Sequence, residues 1–251
     1  PQLCRLVDRP PVGSEWVHEI KFDGYRLQMR VEGGVATMRT RKGLDWSAKF
    51  PEIVKAARRL PDGIFDGEVV ALDRSGSPDF AGLQAALSED NSGALIFFAF
   101  DLLYVEGEDL RRTPLRDRKA RLEGTLRRAF RKRESEIRYV EHFESGGDAV
   151  LKSACRMSLE GIISKRADAA YQSGRGDSWT KSKCRDGPEA EQGPQPGVAQ
   201  EGAIGHACLG VVVGRGRGPA PRGAQRAEGD GDREQAARGG ESVAAAFTWE
   251  R

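Results

Sequence analysis

The sequence has no run of apolar residues long enough to cross a bilayer as a helix, and no basic segment followed by an apolar core opens it. Neither a helical membrane protein nor a signal peptide is therefore expected. Cysteine is scarce: Cys4, Cys155, Cys184 and Cys208 show no CxxC spacing and no histidine partner pattern. That argues against a zinc site, and reduced thiols in a cytoplasmic protein are expected. Net charge is only +2 although 31% of residues are charged, so the field of the whole chain will not gather a polyanion. Any such site must come from local clustering. Of the 40 basic residues 30 are Arg, a bias that a GC-rich genome explains as readily as phosphate recognition. The first residue is Pro1 rather than Met, as expected of a piece of a longer product.

The scarcities sharpen after Cys184. Of the last 67 residues 31 are Gly, Ala or Pro, none is Lys or Tyr, and Cys208 to Val213 is the one sizeable apolar run. Such a segment cannot bury enough apolar area to offset its ordering entropy. Two parts are expected: a folded domain over 1–184 and a mostly disordered tail over 185–251. A reading-frame shift in a GC-rich gene would produce a peptide of this composition.

With 251 residues the chain has ample length for a core. Within 1–184, Trp16 to Phe22, Tyr25 to Val31 and Val35 to Arg41 read as strands, the last two joined by a turn at Glu32-Gly33-Gly34. Pro51 to Leu60 reads as a short helix with Pro51 in its first turn. Ile64 to Asp73 is an expected strand. Ala94 to Tyr104 is continuously apolar, hence a strand buried on both faces. Pro114 to Phe130 and Ser145 to Ser158 read as helices, the first of them basic and amphipathic. Gly161 to Lys165 and Ser178 to Lys183 close the set as strands.

Among these elements, Glu19-Ile20-Lys21-Phe22-Asp23-Gly24-Tyr25-Arg26 stands out. It sets a lysine at the end of a strand, followed by an acid and a glycine that reads as a turn. Lys21 is either a solvated hairpin charge or a covalent nucleophile. About twenty residues on, Arg41 beside Gly43 can deliver a forked donor to a phosphate, or simply end a basic hairpin. Glu68 sits amid apolar strand residues, where a carboxylate is costly unless it is paired with an arginine or bound to a cation. Among Phe97, Phe98 and Phe100 the first two read as core, whereas Phe100, next to Asp101, is placed to stack on a purine. Glu160-Gly161-Ile162-Ile163-Ser164-Lys165 repeats the acid, glycine, strand and lysine order, with Ile163 and Lys165 on one face. Trp179-Thr180-Lys181-Ser182-Lys183 puts two lysines on one strand face, as a triphosphate site or as a solvated edge that blocks aggregation.

Six such stretches in one order resemble the adenylation domain of ATP-dependent DNA ligases, and most nearly the ligase module of bacterial DNA ligase D proteins of non-homologous end joining. The resemblance is carried by Trp16 to Arg26, Phe100 to Leu110 and Glu160 to Arg166, and it covers residues 1–184. It implies an α+β nucleotidyltransferase fold, of the ATP-grasp-like ligase adenylation type, with antiparallel sheets flanked by helices and the nucleotide between them. It also implies ATP, Mg²⁺ or Mn²⁺, and nicked or broken DNA, with end-joining proteins as partners and a place in the bacterial cytoplasm, on the nucleoid when DNA is bound. By resemblance Lys21 becomes AMP-linked and Asp23 orients or activates it. Glu19 and Phe100 flank the adenine, Arg26 and Glu68 reach the ribose, and Arg41 approaches the phosphates. Lys165, Lys181 and Lys183 offset phosphate charge, and Glu68 and Glu160 hold the metal. Family members continue into an OB-fold domain that closes over the nucleotide. Residues 185–251 show neither a five-stranded pattern nor that domain's last basic motif. A truncated remnant that binds nucleotide or DNA without turnover stays open, as does an RNA ligase or capping-type enzyme, since motif spacing does not specify base or sugar.

Overall fold

The computed structural model describes residues 1–89, 91–130, 135–144 and 146–184. The expected tail over 185–251, and with it the question of an OB-fold domain, lies outside the described residues. So does Ser145, the expected start of the second long helix.

Two sheets face each other across a cavity. The first has the order β1 (Gln2–Leu6), β10 (Gly174–Lys183), β9 (Gly161–Arg166), β2 (Trp16–Ile20). The second runs β4 (Val35–Thr40), β3 (Tyr25–Glu32), β5 (Gly63–Val70), β6 (Ile96–Val105), β7 (Glu108–Asp109), with β8 (Ile137–Tyr139) also on β6. The expectation of antiparallel sheets is corrected here: β1 runs parallel to β10, and β8 parallel to β6, so both sheets are mixed. β1, β7 and β8 have at most five residues each, too few for their periodicity to stand out.

The main core lies on the outer side of the second sheet. There α1 (Pro51–Ala57), α2 (Phe80–Ser88) and α3 (Leu115–Ala129) bring Ile53, Leu83, Leu122 and Leu126 against Leu27, Met29, Phe65 and Phe97. Pro51 opens α1 where no backbone N–H is needed, and Asp79 caps α2 by accepting from Gly82 N at 2.9 Å. α2 is absent from the elements expected of the sequence. α4 (Gly147–Arg156) packs on the first sheet through β9 and β2.

α3 confirms the expected amphipathic helix but not which residues it buries. Its inward stripe is Leu115, Arg118, Lys119, Leu122, Thr125 and Leu126. Arg118 is fully buried and grips Asp101 through two bonds of 2.8 Å. It also donates to the carbonyls of Thr113 and Ala169 at 2.6 and 3.1 Å. Thus a basic residue ties α3 to β6 and to the chain after β9.

The reading of all four cysteines as thiols is also corrected. Cys155, near the end of α4, and Cys184, just past β10, form a disulfide with their Cα atoms 5.4 Å apart. No sequence spacing signals that pairing, because the two lie 29 positions apart with both β9 and β10 between them. Cys4 remains free.

Candidate active site

β2 leads into the first motif: Glu19 and Ile20 end the strand, Lys21 follows it, and Tyr25 and Arg26 open β3. β9, the partner of β2, sets Glu19 opposite Ile163 and Val17 opposite Lys165, so the inward faces of the two strands coincide. β9 in turn sets Lys165 opposite Trp179 and Ile163 opposite Lys181 on β10. The glycine of the motif, read from the sequence as a turn, has no positive φ. A Cβ on Gly24 would lie 2.2 Å from the carbonyl oxygen of Val69, so the residue is small because the chain passes against β5.

The second sheet supplies the opposite wall. Arg26 on β3 pairs in register with Glu68 on β5. Between β5 and β6 the register slips: Asp66 faces Asp101 and Gly67 faces Ala99, which leaves Phe100 in a bulge. Bulges re-aim side chains, and here Phe100 meets Trp179 edge-on across the cavity, with ring centres 5.9 Å apart.

The space between the sheets is a cavity of about 270 Å³, and it gathers most of the expected residues: Glu19, Lys21, Arg26, Arg41, Glu68, Phe100, Lys165 and Lys181 all line it. Glu160, Lys183 and Asp23 do not, although the first two are one contact away. The ammonium of Lys21 donates to Oε2 of Glu160, and Lys183 Nζ lies 3.1 Å from Oε1 of the same carboxylate. Both oxygens of the expected metal ligand Glu160 are therefore engaged by lysines. Asp23 acts on Glu68 through its charge. Trp179, read from the sequence only as part of a basic strand, proves to be a wall residue, 2% exposed. The signal was present: an aromatic at the head of alternating lysines shares their face.

Arg26 is anchored rather than free. It donates to both oxygens of Asp66 at 3.1 and 2.7 Å and to Gln2 O at 2.6 Å, and its guanidinium lies 5.1 Å from the Phe100 ring centre. Tyr171 OH donates to Asp66 at 2.8 Å, so one buried acid ties the two sheets together. Glu19 is likewise engaged: Lys119 donates to Oε1 at 2.6 Å and Lys165 Nζ lies 2.6 Å from Oε2. Burial pushes the Glu19 carboxyl up, but Lys119 and Lys165 outweigh it and hold the group below the usual carboxylate value.

Glu68 behaves oppositely. Burial pushes its carboxyl up to about 7, Lys21 and Arg26 pull it back only in part, and Asp23 and Asp66 add to the rise. Its stability linkage follows from that direction. A carboxyl with a raised folded-state pKa favours folding while protonated, and loses that advantage as pH climbs from 4.5 through about 7. Glu68→Gln should therefore gain on the wild type over that interval, by up to about 3 kcal/mol once the pH exceeds 7. Chemical denaturation at several pH values checks this; a difference that does not vary with pH would overturn it.

Among the described residues no three His, Cys, Asp or Glu side chains cluster as a metal-holding group, and no helix is long and apolar enough to cross a membrane.

Residues 5–183 match the family model described as ATP dependent DNA ligase domain. Two curated relatives are the multifunctional non-homologous end joining protein LigD of Pseudomonas aeruginosa and the DNA repair protein LigD of Mycobacterium tuberculosis. The first is 42% identical over 187 residues, 74% of this chain, and the second 38% over 173 residues, 68% of this chain. The chain spans 22% of the length of each. A mycobacterial DNA ligase D solved with ATP and MES superimposes with a TM-score of 0.64 at 34% identity, covering 73% of this chain and 59% of that one. The ligase domain of M. tuberculosis LigD gives 0.62 at 34% identity, over 73% and 58%.

Proposed function

Since the chain belongs to the ATP-dependent DNA ligase domain family, we propose that its cavity binds ATP and that Lys21 carries AMP to DNA. The observation that supports this best is Lys21 at the cavity wall, beside Glu160 and facing Lys165, Lys181 and Arg41.

In the first step Nζ of Lys21 attacks the α-phosphorus of ATP. An N–P bond forms, the bond to the β-phosphate oxygen breaks, and pyrophosphate leaves. An ammonium cannot attack, so its proton must go first. Glu160 accepts a hydrogen bond from Nζ and is the group placed to receive that proton. Asp23 helps to orient the lysine. Lys165, Lys181 and Lys183 offset charge that develops on the phosphate oxygens, in a site where few donors have to reorganise. Phe100 and Trp179 give the purine an aromatic wall, with Glu19 beside it. Arg26 and Glu68 face the ribose, and Arg41 the phosphates.

The donor set suits a divalent cation only in part. Burial pushes the Glu68 carboxyl up to about 7, and a cation would favour its charged form. Glu160 could join it only by letting go of Lys21 and Lys183. Mg²⁺ or Mn²⁺, completed by nucleotide oxygens, would supply neutralisation of the phosphates.

AMP then passes to the 5′-phosphate of nicked or broken DNA, and the adjacent 3′-hydroxyl displaces it. The names of the relatives support repair by non-homologous end joining; on this reading the protein acts in the bacterial cytoplasm with end-joining proteins as partners. Incubation with ATP labelled at the α-phosphate, plus Mg²⁺, should leave label on Lys21 after denaturation. Label from GTP but not from ATP would reject the ligase reading in favour of a capping-type enzyme. Absence of any adduct on folded protein would favour a binding remnant.

A further inference from the structure

Lys119 belongs to none of the motifs, yet it is 1% exposed and reaches the back of the nucleotide cavity from α3. Its Nζ donates to Glu19 Oε1 at 2.6 Å and to Val140 O at 3.1 Å, and it sits 4.6 Å from the Tyr139 ring centre. The other oxygen of Glu19 lies 2.6 Å from Nζ of Lys165. Lys165 in turn rests 4.3 and 4.2 Å from the ring centres of Phe100 and Trp179. Glu19, Lys165 and Val140 line the cavity, and Lys119 stands behind them.

A buried ion pair is a weak source of stability, and a second cation on the same carboxylate adds repulsion. Burial already pushes Lys119 below the usual lysine range, Glu19 opposes that shift, and Lys165 adds to it. As a device for stability the trio is therefore poorly chosen. As a device for charge it is effective: two ammonium groups and one carboxylate leave one net positive charge at the cavity wall. With Lys119 absent, Glu19 would cancel Lys165 and this part of the wall would contribute no net charge to that of Lys21, Arg41 and Lys181.

We propose that Lys119 is a positioning residue for nucleotide binding, taking up the charge of Glu19 so that Lys165 stays anchored over Phe100 and Trp179 with its own charge free for the phosphates of a nucleoside triphosphate. This rests on the ATP reading above.

The test follows the rate of AMP adduct formation against ATP concentration. Lys119→Met should raise the half-saturating ATP concentration about tenfold and leave the rate at saturation within about threefold. Lys119→Arg, which keeps the charge, should restore half-saturation. In a Glu19→Gln background Lys119→Met should have little effect, because no carboxylate remains to cancel Lys165. A residue that merely packs would lower the thermal midpoint in either background and leave half-saturation unmoved. If Lys119→Met does not fold, Lys119→Gln takes its place. Half-saturation unchanged in the folded variant, or a shift undiminished by Glu19→Gln, would overturn the proposal. If the wild type forms no adduct, the ATP reading fails on its own. Equilibrium binding of ATP to the same variants then tests Lys119 separately, and equal affinities would overturn its role.

Discussion

Lys21→Ala and Lys21→Arg should both lose the covalent AMP adduct, by more than about 10⁴-fold, because on this reading the Lys21 amine supplies the nitrogen of the phosphoramidate bond. The arginine variant is the more telling of the two. It keeps a cation beside Glu160, so nucleotide binding should survive while chemistry does not. Labelling followed by peptide mapping reads the adduct, and equilibrium binding reads the site. Lys21 is partly exposed, its side chain 19% accessible, so neither variant should move the thermal midpoint by more than a few degrees. An adduct of normal yield in Lys21→Arg would transfer the nucleophile's role to another lysine, Lys165 or Lys181 first, since both line the same cavity. That result would also remove the reason for Glu160's position.

Asp101→Ala should cost about 3–5 kcal/mol of stability, the usual price of stranding a buried charge. For a domain of this size that is a fall in thermal midpoint of roughly 6–20 °C. Asp101 and Arg118 are both fully buried and joined by two bonds of 2.8 Å. The two carbonyls that Arg118 also reaches cannot neutralise it. The double variant Asp101→Leu with Arg118→Met removes both charges and should recover much of the loss. A loss below about 1 kcal/mol for Asp101→Ala would mean that water or another acid reaches Arg118. Adduct formation offers a second readout. Asp101 follows Phe100, which sits in the bulge of β6, so losing the Asp101–Arg118 pair should shift Phe100 and weaken nucleotide binding even in the fraction that stays folded.

The residues at the cavity are largely legible in the sequence, because strand periodicity is local. Alternation alone puts Glu19 with Lys21, and Lys181 with Trp179, on shared faces. Glu68 stands out because a carboxylate in an apolar strand needs a reason, and the fold supplies one in the raised pKa and the neighbouring Lys21 and Arg26. Less local facts are hidden. Resemblance makes Glu160 a metal ligand, and only the structure shows that Lys21 and Lys183, from two other segments of the chain, meet its two oxygens. Resemblance puts Arg26 at the ribose side, and only the structure shows that Asp66 and the carbonyl of Gln2 anchor it. α3 reads as a basic amphipathic helix, and only the structure shows that Arg118 and Lys119 lie on its buried stripe. Nothing in the spacing of a helix says which of its cations will find an acid across the core.

The same division of labour runs through the whole molecule. Unaided, the sequence determined the lysine motif, its companions and their order, since each is a short strand or turn whose chemistry depends on neighbours two to five residues away. The tertiary structure decided what those residues touch: the parallel pairing of β1 with β10, the bulge that aims Phe100, the Cys155–Cys184 link and the sharing of Glu19 between two lysines. The Lys119–Glu19 contact joins residues 100 positions apart, and the Lys21–Glu160 contact residues 139 apart. Contacts at that separation are set by how two sheets and a helix pack, and their balance of burial against charge exists only once the chain has closed around the cavity.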